Sequence, residues 1–195
     1  MKLFYSPGAC SLASHIVLEE MGVAASYEKV DLRSKKTETG ASFTDLNVKG
    51  YVPALQLDDG EVLTENLCIL PYLGDQSGTL LAKEGMLRWR TLEATAFVCT
   101  ELHKTFATLF HPPGEEAAKA AREKLLQRFG LQAGWLEGKQ FVMGDHMTIA
   151  DAYLFVVLMW APKFKLETPP VLQEYFTRMS ARPSVQRAMQ AEGLL

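Results

Sequence analysis

Cysteine is scarce in this chain, with three residues, Cys10, Cys68 and Cys99, at wide and unrelated spacing. They form neither a disulfide framework nor a metal-ligand cluster, which favours a reducing compartment and no bound metal. Excess positive charge is also missing. The balance of 20 basic and 23 acidic residues leaves a net charge of −3, so nothing in it points to nucleic acid. Long apolar runs are absent: the most apolar stretch, Ile149 to Ala161, is too short to cross a membrane. The N-terminus carries Lys2 and Pro7 where a signal peptide needs an uninterrupted apolar segment, so a cytoplasmic location is expected. Internal repeats and low-complexity segments are lacking too. What is present is an ordinary soluble composition, 48% hydrophobic and 22% charged over 195 residues, ample to bury a core.

The first dozen residues organise the rest. Lys2-Leu3-Phe4-Tyr5 reads as a short strand, and Ser6-Pro7-Gly8 breaks it with turn chemistry. From Ala9 the spacing of Leu12, Ile16 and Leu18 predicts a helix closed by Gly22. Cys10 therefore falls in or beside a helix's first turn, where unpaired N–H groups and the positive dipole end favour a thiolate. The competing role is that of a small buried hydrophobe, and this is the role expected for Cys68 and Cys99, each inside an apolar helical pattern.

Further strands are predicted at Ser26–Leu32, Ala54–Leu57 and Glu61–Thr64, the last two joined by the hairpin signal Asp58-Asp59-Gly60. Arg33 to Gly40 reads as an exposed loop, Phe43 to Val48 as a short irregular helix, and Leu67 to Leu73 as a helix ending near Gly74 to Gly78. The order is βαβ, a short helix, a ββ hairpin and a helix, giving a small α/β sheet with a parallel half and an antiparallel half. After Ser77-Gly78 no strand is predicted. Met86, Trp89, Leu92, Ala96, Cys99, His103, Phe106 and Phe110 recur at spacings of three and four, predicting one long helix stopped by Pro112-Pro113-Gly114. A second helix spans Glu115 to Leu136. Thr148 and Asp151 have capping-box spacing before an all-round apolar helix ending at Trp160, expected at the centre of a helical domain. Two amphipathic helices follow, Val171–Met179 and Pro183–Met189.

This arrangement resembles the cytosolic glutathione transferases, and among them the bacterial beta class, which carries a cysteine at this N-terminal site. The residues bearing the likeness are Met1 to Leu12, Val52-Pro53-Ala54-Leu55, Leu63-Thr64-Glu65, Thr100-Glu101-Leu102-His103-Lys104, and Thr148 to Phe155. The resemblance implies a thioredoxin-like, glutathione-binding domain over residues 1–77 and an all-α domain over 85–195 that forms an electrophile pocket. It also implies a homodimer, glutathione as co-substrate and no permanently bound cofactor.

By the same resemblance the Val52–Pro53 bond is cis, with Val52 pairing to the cysteinyl backbone of glutathione as a strand would. Glu65 is placed at the ligand's amino group and the helix start at Asn66 at its γ-glutamyl carboxylate. Relatives have serine where this chain has Asn66, whose amide can donate in the same way. Lys35 is assigned to the glycyl carboxylate, and His103 with Lys104 lies beside Cys10. Sulfur activation is left between Cys10, Ser11 and His103, with Tyr5 as a further hydroxyl. Cys99 and His103 at i, i+4 lack a third ligand for a metal. Phe106, Phe110, His111 and Trp160 are expected to line the pocket for a small hydrophobic electrophile. Ala96 stands where some relatives place a polar residue that reaches glutathione across the dimer. The expected activity is conjugation of glutathione to that electrophile, with thiol–disulfide exchange or peroxide reduction through Cys10. The rival reading is a non-catalytic glutathione-binding protein on the same fold, and the presence of Cys10, Ser11 and His103 favours the enzyme.

Overall fold

The computed structural model describes residues 1–195. Strand β1 (Lys2–Tyr5) is the middle of a five-stranded sheet of order β3-β2-β1-β4-β5. Helix α1 (Leu12–Met21) makes the crossover to β2 (Ser26–Asp31), which runs parallel to β1 with Leu3 opposite Tyr27. On its other side β1 pairs antiparallel with β4 (Ala54–Gln56), which returns through Asp58-Asp59-Gly60 as β5 (Val62–Thr64). The segment read as loop, Arg33 to Gly40, instead contains β3 (Lys36–Thr37), paired antiparallel with Val30 and Asp31. Its two charged and polar residues give no alternation to read. The turn is set by Asp31, whose carboxylate accepts the Arg33 N–H at 2.8 Å, and by Lys35 at φ 56°. The short helix α2 (Phe43–Leu46) buries Phe43 but leaves Val48 fully in solvent.

α1 begins at Leu12, not at Ala9. Residues 9–11 form a tighter turn in which the Leu12 N–H bonds the Ala9 carbonyl at 3.0 Å and the Ala13 N–H bonds that of Cys10 at 3.2 Å. The chain ahead of the helix is thereby pulled against the sheet, and Cys10 sits in the turn instead of the helix.

The remainder is helical: α3 (Asn66–Ser77), α4 (Gly85–Phe97), α5 (Lys104–Phe110), α6 (Glu115–Leu136), α7 (Ile149–Trp160), α8 (Pro170–Ser180) and α9 (Pro183–Ala191). The expected single helix over residues 86–110 is continuous but irregular, because a π-turn, Val98–His103, joins α4 to α5. The buried line along it is Thr91, Thr95, Val98, Leu102, Phe106 and Leu109. Met86 and Trp89, predicted inward, stand 67% and 63% exposed, while Cys99, His103 and Phe110 lie half-buried at the edge of the line. Thr91 and Thr95 escape an apolar-only pattern because each hydroxyl bonds a carbonyl one turn back, Leu87 at 2.8 Å and Thr91 at 2.7 Å.

α7 occupies the centre, with every residue from Ile149 to Leu158 buried, as its unbroken apolar run requires. Its start is capped by Asp151, whose carboxylate accepts the Thr148 N–H and hydroxyl, both at 2.8 Å, and the Val142 N–H at 2.8 Å. α1 packs on α7 and α9, so a single core runs from the sheet into the helices.

Between them the chain ties one more knot. His15 on α1 and Glu192 just past α9 are fully buried and pair through Nδ1 and Oε1 at 2.9 Å, with the His15 ring stacked on Tyr27 at 3.9 Å. The other Glu192 oxygen accepts the Gly8 N–H at 2.9 Å. Gly74 of α3 meets the linker and α7 so closely that an added Cβ would lie 2.8 Å from Leu81 Cβ and 3.0 Å from Ile149 Cγ2. Gly74→Ala is therefore expected to destabilise the protein by about 1–3 kcal/mol, read as a lower urea midpoint with an unchanged slope.

Candidate active site

The turn after β1, the segment Tyr51-Val52-Pro53 ahead of β4, the first turn of α3 and the π-turn converge on one divided cleft. Its larger chamber, about 620 Å³, is walled by the Ser6–Cys10 loop, Tyr51 and Val52 on the sheet side and by His103, Phe110, His111 and Trp160 on the helical side. Its smaller chamber, about 420 Å³, lies between Val52-Pro53, Glu65 to Cys68, Cys99, His103 and Lys104. Cys10, Tyr51, Val52, His103 and Ala107 belong to both walls. The Val52–Pro53 bond is cis.

Cys10 is half-buried and its thiol donates to the Val52 carbonyl at 3.4 Å. Burial pushes this thiol up, to about 12. The N–H groups of Cys10 and Ser11 pull the other way and are outweighed. This favours the thiol over the thiolate expected at Cys10, because desolvation of the charged form exceeds what two backbone donors return. Asn66 fixes this residue in place, its side-chain N–H donating to the Cys10 carbonyl at 2.9 Å while its Oδ1 accepts the Ser14 hydroxyl at 2.9 Å. One N–H and the oxygen of the Asn66 amide are thus engaged within the fold, which leaves its second N–H at the chamber wall. The backbone N–H groups of Asn66 and Leu67, ahead of the α3 ladder, remain for a ligand carboxylate.

His103 lines both chambers and pairs through Nδ1 with the Tyr153 hydroxyl at 2.6 Å. Burial, then the charge of Lys104, lowers its pKa to about 4, so the ring is neutral at pH 7. We assign the phenol hydroxyl as the donor and Nδ1 as the acceptor. Nε2 then carries the ring's N–H, a donor suited to a sulfur anion. Glu65 is held below the usual carboxylate range by the Lys49 ammonium at 2.6 Å and the Tyr51 hydroxyl at 2.8 Å. It sits at φ 72° just ahead of α3, with its carboxylate turned to the rim of the smaller chamber.

Trp160 closes the far wall, its Nε1 donating to the Gly8 carbonyl at 2.8 Å and its ring edge-on to Phe110 at 5.4 Å. Lys163 stands over the Phe110 ring at 4.9 Å.

Not every expected residue reaches the cleft. Tyr5 is buried and faces His15, ring centroids 5.7 Å apart. Ser11 is fully buried, its Oγ exchanging hydrogen bonds with the Ser6 backbone at 3.2 and 3.3 Å, so it neither caps α1 by its side chain nor faces a ligand. Lys35 donates to the Gly50 carbonyl at 2.7 Å and lies outside both walls. Phe106 is fully buried behind Trp160, their centroids 5.6 Å apart, and supports the pocket instead of lining it. Sequence reasoning missed Tyr51, Lys49, Tyr153 and Ala107. Tyr51 adjoins Val52 and was within reach of the argument; Tyr153 approaches His103 only through the packing of α7 on the π-turn.

Two family models divide the chain in the same way as this geometry. The glutathione S-transferase N-terminal domain matches residues 8–76, and the C-terminal domain matches 97–183. Glutathione S-transferase GstA of Escherichia coli O157:H7 is 44% identical over the whole of both chains. Among solved structures, the bacterial beta class glutathione S-transferase of Sphingomonas chungbukensis superposes with a TM-score of 0.92 at 43% identity, both chains covered in full. BphK, a bacterial transferase solved as a ternary complex, reaches 0.95 at 42% identity, again over both whole chains. The fold and the cleft are those of a glutathione-dependent transferase. The chain belongs to the glutathione S-transferase family, in the neighbourhood of its bacterial beta class.

Two measurements check the electrostatics. Alkylation of Cys10 by iodoacetamide should rise roughly tenfold per pH unit from pH 7 to 10 without a plateau, because the thiolate is the nucleophile and its thiol titrates higher still. The His103 ring should titrate near 4 by NMR, well below the ordinary ~6.5. A folded-state value lower than the unfolded one also means that His103 withdraws stability as pH falls from about 6.5 toward about 4.

Proposed function

We propose that this transferase joins glutathione to small hydrophobic electrophiles at the boundary of the two chambers. The observation that carries the reading is that Cys10, Val52 and His103 belong to both walls. A sulfur held there faces peptide-binding groups on one side and the Phe110–Trp160 aromatic wall on the other. Glutathione lies in the smaller chamber, its cysteinyl backbone on Val52 and its γ-glutamyl carboxylate on the first N–H groups of α3. Its ammonium meets Glu65, which is already anionic through Lys49 and Tyr51. Lys104, exposed on the rim, adds positive charge near the bound peptide.

His103 Nε2–H donates to the glutathione sulfur as its proton leaves, lowering the cost of the thiolate. The electrophile stacks against Trp160 and Phe110 with His111 at the mouth. Cys10, a thiol in the resting cleft, forms a mixed disulfide with glutathione when an oxidised partner is supplied, which is the basis of a separate exchange activity.

Initial rates with glutathione and an activated aryl halide test this division. His103→Ala should lose about 10–100-fold in kcat/KM, the worth of one hydrogen bond to an anion. Cys10→Ala should abolish exchange with glutathione disulfides while keeping much of the conjugation. Equal loss of both activities in Cys10→Ala would refute the division.

The active unit is proposed to be a homodimer. Met86, Leu87 and Trp89 on α4 and Leu67 on α3 are exposed large apolar residues, a surface that a second copy would cover. Sedimentation should give about twice the 21.7 kDa of one chain, and Trp89→Glu should shift it toward the monomer.

A further inference from the structure

All three cysteines of the chain, distant in sequence, line the smaller chamber, and all three are free thiols. Cys10 comes from the turn after β1, Cys68 from the first turn of α3, and Cys99 from the π-turn. Conjugation uses neither Cys68 nor Cys99. The two differ in their surroundings. Cys68 is exposed and its charged neighbour is Lys49. Cys99 is half-buried, is an electrostatic neighbour of Cys10, and shares the chamber wall with Tyr153, whose hydroxyl lies within electrostatic reach of both thiols. The same hydroxyl holds His103 at 2.6 Å. Cys99 also rides on the least regular segment of the long helix, where the Lys104 N–H bonds the Cys99 carbonyl in a widened turn. Such turns occur mostly as isolated interruptions at functional sites.

We propose that Cys99 is a resolving thiol for Cys10, so that the cleft reduces glutathione disulfide by two electrons and stores the oxidising equivalent as a Cys10–Cys99 disulfide. The proposal rests on the reading that Cys10 takes up glutathione. In the first step the Cys10 sulfur attacks glutathione disulfide, and one glutathione leaves with the Cys10 proton. In the second, the Cys99 sulfur attacks the Cys10 sulfur of the mixed disulfide. The bond to glutathione breaks, and the second glutathione departs with the Cys99 proton. One glutathione disulfide becomes two glutathiones, and two cysteines lose two hydrogens. Attack by excess glutathione reverses both steps. A two-cysteine couple that no sequence motif announces is thereby assembled by the tertiary fold.

The test is intact-mass and peptide analysis of the full-length protein after treatment with glutathione disulfide and acid quenching with alkylation. Wild type should end lighter by two hydrogens, with the Cys10 and Cys99 peptides linked and no glutathionyl group retained. Cys99→Ser, and independently Cys99→Ala, should instead hold one glutathionyl group on Cys10, while Cys68→Ser should match wild type. Retention of the glutathionyl group on Cys10 by wild type, or linkage of Cys10 to Cys68, overturns the proposal. Failure of the underlying reading looks different: neither Cys99 variant acquires glutathione on Cys10, and that result overturns the proposal as well.

Discussion

The geometry of the cleft depends on how the loop before Cys10 is held against the helical half. Gly8 is gripped on both sides of its backbone, its N–H by Glu192 at 2.9 Å and its carbonyl by the Trp160 indole at 2.8 Å. Glu192 is in turn fixed by the buried ring of His15. Removing one member of such a group leaves a buried polar partner without its bond, which costs more than the net worth of the bond itself. Three segments from opposite ends of the chain are thus held in register, and the sulfur-handling turn sits where α7 and α9 dictate. Trp160 serves twice, as an anchor for the loop and as the aromatic wall of the larger chamber.

Within that frame the cysteine at the centre is subject to opposing forces. The turn supplies the N–H donors that would stabilise an anion, but the surrounding protein excludes water and burial prevails. Cys10 is therefore held as a thiol that donates to Val52, and the means of stabilising an anion lie around it: the neutral ring of His103 and the first N–H groups of α3. In the proposed mechanism glutathione brings its sulfur among these donors, whereas disulfide exchange requires Cys10 to give up its proton as it attacks.

Much of the fold was legible because its signals are local. Asp58-Asp59-Gly60 declares its hairpin, Thr148 and Asp151 declare the start of α7, and ten consecutive buried residues could only be the middle of a helical layer. The misreadings have a common cause. β3 has two residues and no pattern, and the buried face of α4 runs through Thr91 and Thr95, which an apolar-only stripe passes over, so Met86 and Trp89 face outward. Of the expected residues that line the cleft, Cys10 was legible from its place after β1, while Val52, Glu65 and the role of His103 came from the resemblance. Ser11, Tyr5, Phe106 and Asn66 were chemically suitable, but the first three are enclosed by packing, and one N–H and the oxygen of the fourth's amide are bound to the Cys10 carbonyl and Ser14.

By itself the sequence determined that a βαβ unit would open the chain, that helices would complete it, and that a cysteine would stand at the first turn after β1. Those outcomes follow from periodicity, turn chemistry and capping, which act over a few residues. Only the tertiary structure decided that Cys10 would be a thiol, that Tyr153 would orient His103, and that Cys68 and Cys99 would share its chamber. Burial, the dielectric it creates, and contacts between residues far apart in the chain exist only once the helices have packed on the sheet.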